Sequence, residues 1–208
     1  MPSFRDRLAP PNPVARRLAL QSLLFATAQG AFNTGSAVFF TEVVGLSASR
    51  VGLGLTIAGV VAFLVAYPAG KLVDRFGPKR MWALGTVASA ITFSFWPWMR
   101  GFADFVAIGI TFEIVQNAGG AGYNAYTLDV LPAQERIAAQ AYLYSALNAG
   151  FTLGAMISGV ALAFHNLEVI RWIPMLSVVV GLVNATAITQ LPRAPHDVRA
   201  ASRQHRTE

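Results

Sequence analysis

The sequence predicts an all-α membrane protein of six transmembrane helices. Three observations carry that prediction. Six apolar stretches occur, each of about the 20 residues that a helix needs to cross a hydrocarbon core of about 30 Å. Charged residues make up 12% of the chain against 54% hydrophobic, whereas a soluble domain carries about 25% charged residues. The basic residues gather at the ends of the apolar stretches and leave their interiors free. Lipid as a solvent tolerates so few charges; water does not. Alternating polarity on the scale of a membrane barrel is absent from the sequence.

The first span, residues 18–40, follows a tail (residues 1–17) that holds Arg5, Arg7, Arg16 and Arg17. The Arg16-Arg17 pair, the apolar run from Leu18 to Phe25 and Ala26-Thr27-Ala28 imitate a cleavable signal peptide. The apolar character continues to Phe40 and five more spans follow, so the stretch is read as an uncleaved helix. The second span covers residues 51–69, and a charged turn from Gly70 to Arg80 leads into the third, residues 81–99. The fourth covers 105–126 and the fifth 137–164, long enough that its first turn or two lies at the interface. The sixth covers 169–191, before a basic tail at 192–208. Pro78, Pro132 and Pro192 stand near boundaries where a helix should start or stop.

Six spans place the even-numbered turns and both tails on one side. That side holds thirteen of the sixteen basic residues: Arg5, Arg7, Arg16, Arg17, Lys71, Arg75, Lys79, Arg80, Arg136, Arg193, Arg199, Arg203 and Arg206. Arg50, Arg100 and Arg171 hold the other. By the positive-inside rule both termini are cytoplasmic, in the inner (plasma) membrane. Trp96, Trp98 and Trp172 then fall near the outer boundary and Trp82 near the inner one, as interface anchors.

The net charge of +6 does not indicate nucleic acid, because the basic clusters flank apolar runs and suit loops facing anionic headgroups. With no cysteine in the chain, disulfides, thiol chemistry and Cys-based zinc sites are excluded. His165, His196 and His205 are scattered in loop or tail and suggest no metal site. Neither a phosphate-cradling Gly-x-x-x-x-Gly-Lys-Ser loop nor a Ser/His/Asp, Cys/His or His-x-x-x-His arrangement occurs in the spans. An enzyme or a nucleotide-driven pump is not expected, and no cofactor is implied.

The turn after the second span reads Gly70-Lys71-Leu72-Val73-Asp74-Arg75-Phe76-Gly77-Pro78-Lys79-Arg80. This Gly-x-x-x-Asp-Arg-x-Gly-x-basic-basic string resembles the signature loop of the major facilitator superfamily of transporters, at the position that family uses. Leu131-Pro132-Ala133-Gln134-Glu135-Arg136, with Asn148, Gly150, Gly154 and Gly159 beyond, is similar to the family's fourth-to-fifth connection and glycine-rich fifth span. Gly154-Ala155 stands where the antiporter version has Gly-Pro, and the fourth span lacks the arginine of many proton-coupled members. The resemblance implies an amino-terminal six-span half built from two inverted three-helix repeats. It implies a secondary active transporter that moves a small solute by alternating access. The chain is then a fragment, or a half that pairs with a second six-span half or a homodimer partner. The resemblance also implies that Gly70, Asp74, Arg75, Gly77, Lys79 and Arg80 latch the two halves, with Asp74 meeting a helix of the other. From the residues alone, Gly70 and Gly77 permit turn dihedrals, Asp74 can face a helix N-terminus, and the basic residues suit carboxylates or lipid phosphates.

Polar side chains are costly in lipid and normally face a bundle interior or a water-filled cavity. In the fourth span Glu113, Gln116, Asn117, Gly120 and Asn124 recur every three or four residues, on one helical face. Glu113 is the only carboxylate well inside a span, and a carboxyl there can carry a proton; as a neutral acid bonded to Gln116 or Asn117 it would serve packing. Gln29, Asn33 and Ser36 form a stripe in the first span, and Ser145, Asn148 and Thr152 one in the fifth. The family resemblance implies a cavity lined by the first and fourth spans, assisted by the second and fifth, with the third and sixth outside. Tyr67, Tyr123, Tyr126 and Tyr142 are assigned to packing or the interface. Gly52, Gly54, Gly59, Gly119, Gly120, Gly122, Gly150, Gly154 and Gly159 mark expected close helix approaches. A non-transporting six-span scaffold or assembly partner is the alternative function.

Overall fold

The computed structural model describes residues 12–195; most of both expected tails lies outside them. Helix α1, Pro13–Val38, opens with the side chain of Asn12 accepting from the Val14 N–H at 2.9 Å, and runs into a π-helical turn at Phe39–Val43. α2 is Ala48–Phe76, α3 Pro78–Ser94, α4 Phe102–Val130 and α5 Arg136–Ala163. The last apolar stretch is split into α6, Leu167–Trp172, and α7, Pro174–Thr189. The described residues contain no strand.

Three of these helical stretches are long and apolar enough to cross a membrane: α2, α5 and α6–α7 taken together, with mean hydropathies of 2.0, 1.5 and 1.7 over their most apolar windows. α1 and α4 have the length, 26 and 29 residues, but carry the polar stripes. α3 is 17 residues. Outward faces are apolar: Leu53, Val60, Phe63, Leu64 and Tyr67 on α2, and Leu153, Met156, Ile157 and Val160 on α5, are all exposed. Water would reject so continuous a surface, whereas acyl chains accept it.

Helix borders differ from the expected spans because hydropathy does not decide where a helix ends. α2 continues seven residues past Ala69, through Gly70, Asp74 and Arg75, to Phe76. The signature segment is therefore helical on both flanks, and the chain turns at Gly77 alone, whose φ of 92° belongs to glycine. Pro78, which has no N–H to lose, then opens α3.

Both ends of the bundle are closed. At one end Phe32, Phe39, Phe40, Phe93, Trp96 and Phe105 pack into an aromatic cluster, with ring centroids 4.6 Å apart for Phe32–Trp96 and Phe40–Phe105. The π turn puts Phe39 and Phe40 side by side in it. At the other end Leu18, Trp82, Tyr126, Leu143, Ile188 and Leu191 form a second cluster. Trp82 and Trp96 are thus buried packing residues rather than interface anchors, since each fills the space between converging helices. Trp98 and Trp172 are exposed and meet edge to face at 5.7 Å.

Small residues allow the closest approaches. Gly150 and Gly154 of α5 lie against the α1 backbone around Leu23 to Ala31, Gly30 of α1 faces Phe151, and Gly85 of α3 meets Gly119 of α4. Gly54 and Gly122 are also in tight contact, whereas Gly52, Gly59, Gly120 and Gly159 face open space and do not mark helix crossings.

Candidate functional site

The helices pair in a way that leaves a gap. α1 packs along α5 and, less closely, α7; α4 packs on α2 and α3; and α3 packs on α7. α1 and α4 make little direct contact. Where they do approach, the Ser22 and Tyr123 hydroxyls lie 3.2 Å apart. Between them is a cavity of about 230 Å³. α1 contributes Gln21, Ser22, Phe25, Ala28 and Gln29 to its walls, and α4 contributes Gln116, Gly119, Gly120 and Tyr123. Its ends adjoin the two buried clusters, because Phe93 belongs to the first cluster and Trp82 to the second, and both also line the cavity.

Of the six polar residues expected to line the solute or proton cavity (Gln29, Asn33, Glu113, Gln116, Asn117 and Asn148), two do so here. Gln29 and Gln116 line the cleft from opposite walls, and Gln116 Oε1 accepts from the Ser89 hydroxyl at 3.4 Å. Gln116 and Asn117 also border a shallow dent against Ala66 of α2, with Asn124 beyond. The others are placed elsewhere. Asn33 and Asn148 are exposed and do not line the cavity. Asn148 Nδ2 donates to the Tyr144 carbonyl of its own helix at 2.9 Å, while Ser145 and Thr152 bond their own backbone likewise. Glu113 is half-buried on α4 outside the cavity, and its backbone carbonyl, not its carboxyl, receives Asn117 Nδ2 at 2.9 Å. Periodicity put these residues on a face; it could not say which neighbour covers that face.

The third and sixth spans, expected outside the family's cavity, both border this cleft. α3 lines the cavity with Trp82, Gly85, Thr86, Ser89, Ala90 and Phe93, and α7 with Ser177, Val180, Gly181 and Asn184. These two helices form its floor, because α1 and α4 are held apart and α3 and α7 close the gap behind them. α2 contributes nothing to it and α5 only Leu147. Tyr123 is a wall residue rather than simple packing; Tyr126 is fully buried and donates to the Pro192 carbonyl at 2.9 Å.

In the signature segment Asp74 and Arg75 are exposed on the last turns of α2. Asp74 forms no hydrogen bond or ion pair among the described residues and does not cap α3, whose N-cap Gly77 has no side chain to offer. Arg75 lies over the Phe76 ring, 5.4 Å from its centroid. Lys79 instead donates to the carbonyls of Thr189, at 3.0 Å, and Leu191, fastening the turn to the end of α7. No group of three or more metal-ligating side chains is found among the described residues.

An all-helical bundle with apolar outer faces, around a cleft lined without ionised side chains, has the architecture of a multi-pass membrane protein. Comparison with known proteins carries this further. The sequence model of the Major Facilitator Superfamily matches residues 18–207, and the chain belongs to that family, whose members are transporters rather than enzymes. It is 31% identical over 130 residues to "Multidrug resistance protein 2" of Bacillus subtilis (strain 168), an alignment covering 60% of this chain and 31% of that protein.

Proposed function

We propose that this chain is a secondary active transporter, or the amino-terminal half of one, moving a small solute across the inner (plasma) membrane by alternating access. The cleft between α1 and α4 is its share of the pathway. That cleft is the observation that carries the reading: two helices rich in polar side chains are held apart by their packing on other partners. The pairing supports two three-helix repeats, since α1 on α5 is mirrored by α4 on α2 when the second repeat is laid on the first. Six crossings with both termini cytoplasmic agree with the lysine and tyrosine contacts that draw the α2–α3 turn, the α4 end and the α7 end together. The basic clusters lie at that same end.

Gln29 and Gln116 face the solute. Asp74 and Arg75, exposed and in no ion pair among the described residues, latch onto a second six-span half or a second copy of the chain, and Glu113 carries a coupling proton. The name of the Bacillus relative points to drug-like solutes for this chain also. Reconstitution into vesicles, with and without a candidate second half, tests the proposal. Accumulation of a drug-like solute driven by an imposed ion gradient is expected when the pathway is complete. A correctly inserted protein that moves no solute with any partner would make it a scaffold instead.

A further inference from the structure

Three polar groups at the back of the cleft lack partners. Gln21 on α1 and Ser177 and Asn184 on α7 are 6%, 8% and 4% exposed, and Gln21 Oε1, Ser177 Oγ and Asn184 Oδ1 have no hydrogen-bond partner among the described residues. All three line the same cavity. A buried amide or hydroxyl left unpaired is costly, so native structures satisfy such groups with protein, water or ligand. The other unpaired buried atoms, Trp96 Nε1, Ser158 Oγ and Arg171 Nε, belong to residues outside this cavity, so the concentration of three here is local.

We infer that Gln21 and Asn184, each one turn from the cluster that holds Trp82, form a hydrogen-bonding subsite that receives the amide or hydroxyl head of a small uncharged solute, whose apolar body lies against Phe25 and Trp82. Ser177, two turns from Asn184 along α7, is about 10 Å away and meets other parts of the cavity. The lining has the make-up of a ligand site, mostly apolar with a few convergent polar groups. It holds no ionised side chain, and Glu113 stands outside it. A charged head would therefore be buried there without a counter-ion, which is prohibitively unfavourable. An amide or hydroxyl both donates and accepts, so it satisfies the side-chain amides whichever way they are turned. The volume of about 230 Å³ suits one substituted ring, given that a dry cavity of about 150 Å³ takes benzene.

The subsite rests on reading the cleft as a solute pathway, but its test reads binding without transport. The purified protein in detergent is titrated with 4-fluorobenzamide, with 4-fluorotoluene (the same ring without a polar head) and with 4-fluorobenzylammonium, each followed by fluorine NMR. Saturable binding of the benzamide is expected, with the other two at least about tenfold weaker. Asn184→Leu and Gln21→Met each weaken the benzamide by about tenfold and leave 4-fluorotoluene within about twofold. Thermal unfolding checks that the variants fold, and Asn184→Ala or Gln21→Ala, a smaller change, replaces any that does not. No saturable binding would mean that the cavity holds water only and would overturn the inference. Equal benzamide affinity in the folded variants would overturn it too, even if vesicles transport. Benzamide binding that responds to the substitutions, in a protein that moves no solute, would instead refute transport and leave the subsite standing.

Discussion

Replacing Gly154 by alanine tests whether α1 and α5 meet backbone to backbone. A Cβ on Gly154 would overlap the Thr27 carbonyl oxygen and lie 2.5 Å from the Ala31 nitrogen and 3.0 Å from the Gly30 carbonyl carbon. All three are main-chain atoms that no rotamer change can move. Gly159, five residues on in the same helix, has nothing within 4 Å. Gly→Ala raises helix propensity by about 1 kcal/mol at either position, so that gain cancels in the comparison. What remains is overpacking at Gly154, about 1–3 kcal/mol and larger where the backbone must shift. Gly154→Ala should therefore unfold more easily than Gly159→Ala by about 1–3 kcal/mol in mixed-micelle denaturation, followed by circular dichroism. Equal stabilities, or a more stable Gly154→Ala, would show that the seam is looser than its geometry and refute the close-packing argument.

Lys79→Met removes both donations to the end of α7 and should lower unfolding free energy by about 1–3 kcal/mol, a bond to a charged donor being stronger than a neutral one. Limited proteolysis should at the same time show faster cleavage just beyond Thr189. Asp74→Asn should leave stability within about 0.5 kcal/mol, because the carboxylate is exposed and forms no bond among the described residues. Vesicle transport should nevertheless fall once the second half is present, and undiminished transport would remove the latch. Glu113→Gln keeps the shape and abolishes titration; uptake or efflux driven by a pH gradient should be lost while exchange of solute down its own gradient persists. Intact pH-driven transport would exclude Glu113 as proton carrier.

The apolar stretches were legible because lipid imposes a hydropathy that local sequence must satisfy. Their limits were not. Gly70, Asp74 and Arg75 look like turn residues, yet a helix emerging from a membrane keeps its backbone bonds whatever its side chains, so α2 runs on to Phe76. Gln29 and Gln116 stood out because each belongs to a stripe. Gln21, Ser177 and Asn184 belong to no stripe, and only the packing of α7 beside α1 brings them to one cavity. Asn33 and Asn148 shared the spacing of the cleft residues but face outward. Gly30 and Gly85 lack the glycine-rich context that marked α4 and α5, and their close contacts depend on which helix lies opposite.

Transport through this half requires the gap between α1 and α4 to be an aqueous route bounded by a lipid-facing shell. This chain has no cysteine, so single replacements in it report cleanly. Gln29→Cys, Gln116→Cys and Phe63→Cys, the last on the outer face of α2 and 81% exposed, should be treated in intact membranes with a membrane-impermeant maleimide. Labelling at both glutamine positions and protection of Phe63→Cys are expected. Ready labelling of Phe63→Cys with both cleft positions unreactive from either side would contradict such a route.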